Sequence, residues 1–453
     1  MSFYGYPTYK DSGSEWIGAI PDHWSASALK RLFRIEGGST PKSDEVNWDG
    51  DIAWVTPADL SGLSSFFLGA TKRTITSQGL ASCGTTLLPV GSLILSTRAP
   101  IGSLAISLVS MCTNQGCKGL VPNASAYSTY FAYVLLAAKN ELNNRGRGAT
   151  FLEISGDELG RFSVPTPPFE EQVQIARFLD HEIARIDALI EEQQRLIGLL
   201  KEKRQAVVSN VVTKGIDTTA PMKKSDVEWL GDVPAHWDVT KLGWVLNELT
   251  YGFTNPMPTE DWGPAMLTAN DIGWGVVLYD QARSTSEIAF RELLTDKSRP
   301  RAGDLLLTKD GTLGRVAVHD GRAACINQSV ALLRPDYRFL DSEFLCGVIQ
   351  ASCYQAKMLF DAGGTTIKHI YITVLAKMSV AIPPLHEQQV LLHYMNSETG
   401  RLDGLSSEAC QVVALLQERR SALISAAVTG EIDVRGWQPP VSAPATELLE
   451  EVV

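Results

Sequence analysis

The sequence contains no run of about 18 consecutive apolar residues, so no segment is predicted to cross a membrane as a helix. Its first residues, MSFYGYPTYKDSGSEW, lack a charged stretch followed by an apolar core, which argues against a signal peptide. Cysteine is scarce, with 7 scattered among 453 residues. An odd, dispersed set argues against a disulfide framework and for a reducing cytoplasm. The closest pair, Cys112 and Cys117, has no second pair to complete a metal-ligand spacing, so no metal site is predicted.

Motifs of several common catalytic sites are also missing. There is no GxxxxGK[ST] phosphate loop for an ATP-driven motor. The Asn-Pro-Pro-Tyr/Phe motif of amino-methyltransferases is absent, and the nearest match, residues 255–258, departs at its third position, Met257. His386 and Glu387 lack the second histidine that a zinc protease places four residues after the first. These absences predict a chain that is not an enzyme and has no cofactor, but they leave open a site of dispersed residues without a motif.

Positive charge is in deficit. The chain has 40 Lys and Arg against 51 Asp and Glu, a net charge of −11 and a pI near 5.2. This balance counts against a surface that is basic all over, although it allows a local basic groove. Residues 436–453 form an acidic tail that is predicted to be disordered. The remaining composition is that of an ordinary globular protein of two to four domains.

The longest regular pattern is an apolar heptad repeat within residues 168–217. Strong helix formers fill this stretch and no proline interrupts it after Phe169, so one long helix is predicted. A helix of roughly 35 residues would be about 50 Å long. The a and d positions predict the seam of a helix pair. These seam positions are Leu179, Ile186, Leu189, Leu196, Leu200 and Val207.

Residues 383–435 repeat this stretch. Matching VTKGID, which ends at Asp217, to VTGEID, which ends at Asp433, gives an offset of 216 residues, and both stretches begin with PP followed by EQ. Shared register predicts a second helix that packs on the first, with two separately solvated surface helices as the alternative. The offset carries the seam to Met395, Leu402, Leu405, Val412, Leu416 and Leu423.

The globular parts, residues 1–167 and 218–382, are also copies of each other. The segment EWIGAIPDHW at residues 15–24 returns as EWLGDVPAHW at residues 228–237. Short apolar runs bounded by Gly, Pro or Ser predict strands. These runs are residues 52–55, 93–95, 104–108, 276–278, 305–307 and 316–318. Amphipathic patterns predict helices at residues 127–142 and 342–359.

The duplicated order domain, helix, domain, helix predicts the architecture. The first helix leads from one domain to the next, and the second, with a matching seam, is expected to lead back. The fold class is therefore predicted as α+β, with two strand-rich domains separated by a pair of long antiparallel coiled-coil helices and a pseudo-twofold internal repeat. If the two domains read DNA, a separation of about 50 Å would place them over successive major-groove turns, since one turn spans about 34 Å.

The KDSGSEWIGAIPDHW opening, the PP-x-x-EQ helix starts and the VTGEID ending, in this duplicated order, resemble the specificity subunit of a type I restriction–modification system over about residues 9–437. The resemblance implies that each globular part is a target recognition domain reading half of a bipartite site in double-stranded DNA. It implies a helix pair that sets the gap and docks two methyltransferase subunits, with up to two restriction subunits joining through them. S-adenosylmethionine is then expected on the methyltransferase, and ATP and Mg on the restriction partner.

Base reading requires paired donors and acceptors on loops that reach a groove. In the first domain, polar residues of such loops are Ser39, Thr40, Lys42, Thr97, Arg98, Asn114, Gln115, Arg145, Arg147 and Thr150. In the second domain they are Thr254, Asn255, Thr308, Lys309, Asn327, Gln328, Thr366 and Lys368. Each has a structural alternative, because an Asn-Gln pair can satisfy turn backbone groups and a glycine-rich loop can be a turn. Arg98 aligns with Asp310, or with Lys309 if the turn shifts by one residue.

Two other functions are consistent with parts of this pattern. A coiled-coil scaffold that binds proteins rather than DNA is the main alternative, and it predicts no DNA affinity. A self-contained repressor reading an inverted repeat is disfavoured by the acidic balance and the lack of a helix-turn-helix pattern.

Overall fold

The computed structural model describes residues 4–63, 65–98, 100–147, 152–364 and 368–439. The chain packs as two units, one formed by residues 1–192 and 412–453 and the other by residues 193–411. Each unit contains one globular domain and part of each long helix. Within the described residues, no helix is both long enough and apolar enough to cross a membrane.

Unit 1 is strand-rich. Its strands are β1 Tyr9–Asp11, β2 Ala19–Pro21, β3 Ser25–Ala28, β4 Phe33–Gly37, β5 Trp48–Val55, β6 Phe67–Leu68, β7 Thr74–Ile75, β8 Leu93–Ser96, β9 Leu104–Ser107, β10 Met111–Thr113, β11 Cys117–Pro122 and β12 Ser163–Thr166. Its short helices are α1 Pro57–Leu60, α2 Ser77–Ala81, α3 Ser128–Ala137, α4 Lys139–Asn144 and α5 Gly156–Arg161, and the long helix α6, Phe169–Lys214, begins here. A five-stranded sheet has the order β4-β11-β8-β9-β6, and a three-stranded sheet has the order β10-β5-β7.

Unit 2 repeats this plan. Its strands are β13 Met222–Lys224, β14 Asp232–Pro234, β15 Asp238–Lys241, β16 Leu246–Tyr251, β17 Glu260–Leu267, β18 Arg283–Ser284, β19 Leu305–Thr308, β20 Val316–Val318, β21 Ala324–Ile326, β22 Val330–Pro335 and β23 Ser379–Ile382. Its helices are α7 Glu287–Glu292, α8 Ser342–Gln350, α9 Ser352–Asp361, α10 Ile372–Lys377 and the first part of α11, Leu385–Thr429. The sheets have the orders β16-β22-β19-β20 and β18-β17-β21.

Most of the predicted short elements are present. Five of the six predicted strands lie in β5, β8, β9, β19 and β20. The sixth, at residues 276–278, is wrong, because Val277 makes only an isolated bridge to Ile272 within a turn. Each predicted amphipathic helix is split in two, into α3 and α4 and into α8 and α9. Between α8 and α9, Ala351 is extended, with φ −61° and ψ 141°.

The long helices have 46 and 45 residues, more than the roughly 35 expected. Each follows a Pro-Pro pair, and each ends where a glycine adopts the left-handed conformation that terminates helices. These glycines are Gly215, with φ 73°, and Gly430, with φ 81°. The duplicated VT-x-x-ID segments are therefore helix stops.

Both units pair these helices in the antiparallel direction, as predicted. In unit 1 the Gln174 amide donates to the carbonyl oxygens of Val434 and Trp437, at 3.1 and 2.6 Å. Farther along α6, the Asp187 carboxylate accepts from Arg420 at 2.8 Å. In unit 2 Arg204 donates to Asp403 at 2.9 Å. Within unit 1, α6 advances from Gln174 to Asp187 while the contacted residues go back from Val434 to Arg420. Within unit 2, Val212 shares a buried cluster with Met395, so α6 again advances while α11 goes back from Asp403.

The predicted seam positions fall into a covered row and an exposed row. The a positions are buried or partly buried. These are Leu179, Ile186, Leu200, Val207, Met395, Leu402, Leu416 and Leu423. The d positions are wrong, because the side chains there remain substantially exposed: Leu189 48%, Leu196 42%, Leu405 40% and Val412 40%.

The second row of the seam lies four residues after each a position rather than three. Its apolar members on α6 are Ile183, Ile190, Ile197 and Val211, all buried or partly buried. On α11 the same row contains Thr399, Ser406, Val413 and Ala427, which are likewise covered. The exposed d positions therefore form an apolar flank beside the seam. Its members are Leu189 and Val412 in unit 1 and Leu196 and Leu405 in unit 2.

The EQ pair at the start of each long helix joins the helix to the rest of its unit. Glu171 is buried and accepts hydrogen bonds from the Tyr6 hydroxyl and, at 2.9 Å, from His23 Nε2. In unit 2, Glu387 accepts from His236 at 2.7 Å and from the Trp237 indole at 3.0 Å. Each HW segment is thus held by the first turn of a long helix.

The glutamine beside each glutamate is buried and bridges three backbone groups. Gln172 accepts from Tyr127 N at 2.9 Å and donates to the carbonyl oxygens of Ser125 and Pro167, both at 3.0 Å. Gln388 accepts from Asp341 N at 2.8 Å and donates to two carbonyl oxygens in the same way. The duplicated PP-x-x-EQ motif therefore has a structural role, because it fixes the start of each long helix to the domain beside it.

We expect Glu171→Gln to lower the free energy of unfolding by about 1 kcal/mol, because a neutral amide replaces the carboxylate that accepts two hydrogen bonds. Burial, and then the bond to Glu171, raises the pKa of Tyr6 well above its ordinary value, so the phenol stays a donor. The neighbouring exposed Glu170→Gln is the control, with a change of less than about 0.5 kcal/mol. Equal urea midpoints for the two variants would contradict this structural role of Glu171.

Candidate nucleic-acid interface

In each unit, a glycine-containing loop lies against the turn that carries the Asn-Gln pair. Ser39 N donates to the carbonyl oxygen of Thr113 at 2.9 Å, and Phe253 N donates to that of Ile326 at 3.0 Å. The preceding glycines are packed so closely that an added Cβ would lie under 3.0 Å from the facing backbone. Gly38 would meet Asn114 in this way, and Gly252 would meet Ile326. The structure therefore brings two of the predicted loops together in each domain.

The Asn-Gln pairs divide their roles. Asn114 Oδ1 accepts from Gly116 N at 2.9 Å, and Asn327 Oδ1 accepts from Ser329 N at 3.1 Å. Both asparagines thus satisfy the turn, as the structural alternative predicted. Gln115 and Gln328 are exposed, so their amides project from the turns. In unit 1 the exposed Thr40 hydroxyl donates to the Gln115 amide oxygen.

Unit 2 opens here into a cleft of about 630 Å³, which we name the polar cleft. Its polar lining includes Thr254, Asn255, Asn270, Arg283, Asn327 and Gln328. Four of these residues were predicted from sequence, whereas Asn270 and Arg283 were missed. Asn270 lies in a short capped turn between Thr268 and Asp271. The Thr268 backbone N–H donates to the Asp271 carboxylate at 2.8 Å and closes this turn. The amide and guanidinium groups in this cleft are those that match base edges.

Unit 1 has aromatic rings near the corresponding loop. The Trp54 indole donates to the carbonyl oxygen of Ser39 at 3.0 Å, and the Trp48 indole donates to that of Lys42 at 2.9 Å. The Lys42 side chain is exposed. The guanidinium carbon of Arg73, also missed, lies 3.6 Å from the centroid of the Trp48 ring. The loop of Ser39 and Lys42 is thus fastened to an aromatic pair that carries an arginine.

A cysteine is buried beneath each of these surfaces. Cys112 pairs with Trp54 across two parallel strands, and Cys325 pairs with Met266. Burial raises the pKa of each thiol to about 12. At neutral pH both thiols are therefore protonated and act as small apolar groups.

A second group of predicted residues surrounds the end of β8 in unit 1. Arg98 pairs with Glu153 at 3.0 Å. The Arg145 guanidinium is held by Glu141 at 3.0 Å and by Glu158 at 3.6 Å, and it lies over the Phe162 ring. These contacts give Arg145 a structural role. Arg147 is exposed and remains a prediction for DNA contact.

In unit 2 the corresponding pair has the opposite polarity. Isolated bridges join Arg98 to Glu153 in one domain and Asp310 to His369 in the other. They establish Asp310, not Lys309, as the counterpart of Arg98. The Asp310 carboxylate is hydrogen-bonded to His369 Nδ1, and Lys368 beside it is exposed. The two domains thus differ in residue type at both positions of this pair.

Three predicted contacts are contradicted by burial. Thr97 and Thr308 are fully buried, and their hydroxyls donate to nearby carbonyl oxygens. Lys309 is also buried, where it pairs with Asp310 at 3.0 Å near the Tyr251 ring. These side chains directly follow core strands, and position after a strand does not by itself reveal burial. The predicted Thr150 and Thr366 lie outside the described residues.

Two α+β domains of one plan, each followed by a long helix, define a protein built as an internal repeat, and each domain presents exposed amide and guanidinium groups. The chain matches the family model for the type I restriction modification DNA specificity domain over residues 21–197 and 286–400. It belongs to this family and is a specificity subunit of the type I restriction–modification class.

Curated relatives agree with this assignment. The chain is 25% identical to the type I restriction enzyme MjaIX specificity subunit of Methanocaldococcus jannaschii, over 92% of this chain and 95% of that protein. It is 24% identical to the EcoBI specificity subunit of Escherichia coli, over 71% of this chain and 69% of the relative.

Solved structures share the fold. A chain from a study of complex assembly and conformational transition in the type I R-M system aligns with a TM-score of 0.71 at 18% identity, over 91% of this chain and 99% of that one. The HsdS subunit from Thermoanaerobacter tengcongensis aligns with a TM-score of 0.53, also at 18% identity, over 91% and 98% of the two chains.

Proposed function

We propose that each globular domain reads one half of a bipartite site in double-stranded DNA. The observation that carries this proposal is the equivalent placement of the exposed Gln115 and Gln328 beside the exposed hydroxyls of Thr40 and Thr254. A glutamine amide can donate to and accept from one adenine edge in the major groove. The same surface is therefore presented once per domain, as a divided site requires.

The half-sites are expected to differ in sequence, because the two surfaces differ in chemistry. Unit 2 adds the Asn255 amide in its polar cleft, whereas the corresponding loop of unit 1 has Pro41. The ion pair of Arg98 and Glu153 in unit 1 is replaced in unit 2 by Asp310 and His369. Unlike donors and acceptors read unlike bases.

In this proposal the chain is not catalytic and positions a partner methyltransferase, which binds S-adenosylmethionine and flips an adenine in each half-site. Two methyltransferase subunits are expected, and through them restriction subunits that use ATP and Mg. The absence of phosphate-loop and Asn-Pro-Pro-Tyr/Phe motifs from the sequence supports this division of roles.

The apolar flank supports docking of the methyltransferase on the helices. Exposed leucine and valine side chains beside an already covered seam leave apolar surface in water, and such surface marks interaction sites when it is contiguous. In unit 2 the flank consists of Leu196 and Leu405. A helical partner surface that covers them would gain roughly 25 cal/mol per Å² of apolar area removed from water.

We expect the double variant Leu196→Lys with Leu405→Lys to reduce copurification with the methyltransferase by about 10-fold or more, because charge would be buried at the contact. Thermal unfolding of the isolated chain should not change, since both side chains are exposed. Gln194→Lys, at an exposed position of the same helix, is the control. Undiminished copurification of the double variant would place the partner elsewhere.

Long-read sequencing of native DNA, with and without the gene for this chain, tests the proposed function. A split adenine-methylation motif should be present with the gene and absent without it. If the motif persists after deletion in cells that express the system, the proposal fails. The scaffold alternative predicts no motif and no salt-sensitive DNA binding by the purified complex.

A further inference from the structure

We propose that Arg73 and Arg283 are a matched pair of base-reading arginines, one in each domain, and that each reads a guanine in its own half-site. This inference rests on the proposed function and adds two specificity-determining residues to it. Neither arginine lies in a recognisable sequence motif. Their correspondence emerges from strand pairing.

The two arginines occupy equivalent positions. In unit 1 the residue paired with Cys112 is Trp54, whose backbone N–H donates to the carbonyl oxygen of Arg73 at 3.2 Å. In unit 2 the residue paired with Cys325 is Met266, which lies opposite Arg283. Arg283 thus lies in β18 and Arg73 directly precedes β7, and each of these strands flanks the central strand of its three-stranded sheet.

The residues that follow confirm this equivalence. Three residues after Arg73, the Thr76 hydroxyl caps helix α2 by accepting from Gly79 N at 3.0 Å. Three residues after Arg283, Ser286 caps helix α7 by accepting from Ala289 N at 3.2 Å. In both domains an arginine therefore precedes a capped short helix by the same spacing.

Both side chains are exposed and available. Among the residues that the structure describes, neither guanidinium has a carboxylate within 4.0 Å. Arg98 and Arg145 in unit 1 are, by contrast, held by glutamates at 3.0 Å. An arginine without an acidic partner keeps its donors for a ligand, and the fork of N–H groups fits the O6 and N7 acceptors of guanine.

The surroundings favour a base edge over a phosphate. Arg283 lines the polar cleft together with Asn255 and Gln328, whose amides suit base edges. Arg73 lies on the Trp48 ring, and Trp48 is hydrogen-bonded to the loop that carries Thr40. Stacking on the indole face fixes the guanidinium plane while leaving its edge donors free.

The test uses the complex of this chain with its methyltransferase subunits. The methylation motif of the wild-type complex is read first, and its absence would overturn the proposed function itself. Binding is then measured by fluorescence anisotropy on duplexes carrying the motif, with each half-site base changed singly. Arg73→Ala and Arg283→Ala should each weaken binding to the full motif on the order of 10- to 100-fold. Each should also relax the requirement for one guanine, in opposite half-sites.

Arg73→Lys and Arg283→Lys separate base reading from phosphate contact, because lysine retains the charge but not the fork. We expect both lysine variants to relax the same base positions as the alanine variants. Arg34→Ala and Arg291→Ala are the matched controls, since these exposed arginines are already paired with Glu36 at 3.2 Å and Glu287 at 3.6 Å. Thermal unfolding should be unchanged in all six variants. The inference is overturned if the Arg73 and Arg283 variants keep the wild-type motif and its base preference. It is also overturned if they lose binding affinity equally for all sequences.

Discussion

Gly38→Ala is expected to abolish methylation of the full DNA motif and to lower the affinity of the complex for it by at least about 100-fold, whereas the adjacent Gly37→Ala should leave both near wild type. A Cβ on Gly38 would lie under 3.0 Å from the carbonyl group of Asn114. Backbone cannot move aside as a flexible side chain can, so the loop and the turn must separate. The nearest atom to a Cβ on Gly37 is the Lys118 ammonium nitrogen, at an ordinary 3.8 Å.

The separation would displace the groups proposed to read DNA. Asn114 immediately precedes Gln115, and the Thr40 hydroxyl that donates to Gln115 is two residues after Gly38. Overpacking of this kind costs about 1–3 kcal/mol, occasionally more. We therefore expect unit 1 to be destabilised locally, with the larger effect on recognition.

Gly252→Ala tests the same feature in unit 2, where the added Cβ would meet the carbonyl group of Ile326. Gly363→Ala is its control, because no atom of the described part of the chain lies within 4 Å of a Cβ built there. Motif sequencing and circular dichroism melting of the four variants provide the measurements. Wild-type methylation by either Gly38→Ala or Gly252→Ala would show that the loop and turn do not act together in recognition.

The fold was largely predictable because its signals are local and duplicated. Two Pro-Pro starts, two VT-x-x-ID stops and a seven-residue period predicted both long helices, and the structure confirms their antiparallel pairing. The run at residues 276–278 misled because its apolar residues lie in a turn closed by a bridge between Ile272 and Val277. Three residues are too few for periodicity to distinguish a strand from such a turn.

The site was harder to predict because exposure depends on tertiary packing. Thr97 and Gln115 both occur where a strand meets a turn, yet Thr97 is buried and Gln115 exposed. Arg73 and Arg283 were missed because the loops between the duplicated segments differ in length, so a fixed offset of 213 or 216 residues does not align them. A signal was present in the sequence: an Arg-Thr pair lies just before Thr76 and an Arg-Ser pair just before Ser286, and aligning these pairs matches Arg73 with Arg283.

The error in the helix seam has a simple physical cause. After Ile186, both the third and the fourth residues are apolar, namely Leu189 and Ile190. A heptad repeat therefore fits a seam through either residue, and only the packing of the rest of the unit selects one. The structure selects Ile190, which packs against the core of unit 1, and leaves Leu189 48% exposed.

Ile183→Ala is consequently expected to lower the free energy of unfolding of unit 1 by about 2–4 kcal/mol, and Leu189→Ala by less than about 0.5 kcal/mol. Ile183 is 5% exposed and belongs to the same buried cluster as Ile424 and Ala427 of α11, so its truncation leaves a cavity. Leu179→Ala is the reference for a full core deletion, since Leu179 is buried and belongs to the seam in either phase. Urea unfolding of the three variants, followed by hydrogen exchange of α6 amides, measures the differences. Similar losses of stability for Ile183→Ala and Leu189→Ala would mean that the residues three after each a position do belong to the packed seam. A small loss of stability in Leu189→Ala, together with weaker methyltransferase binding, would instead show that this exposed side chain contributes to docking and hardly to the stability of the helix pair.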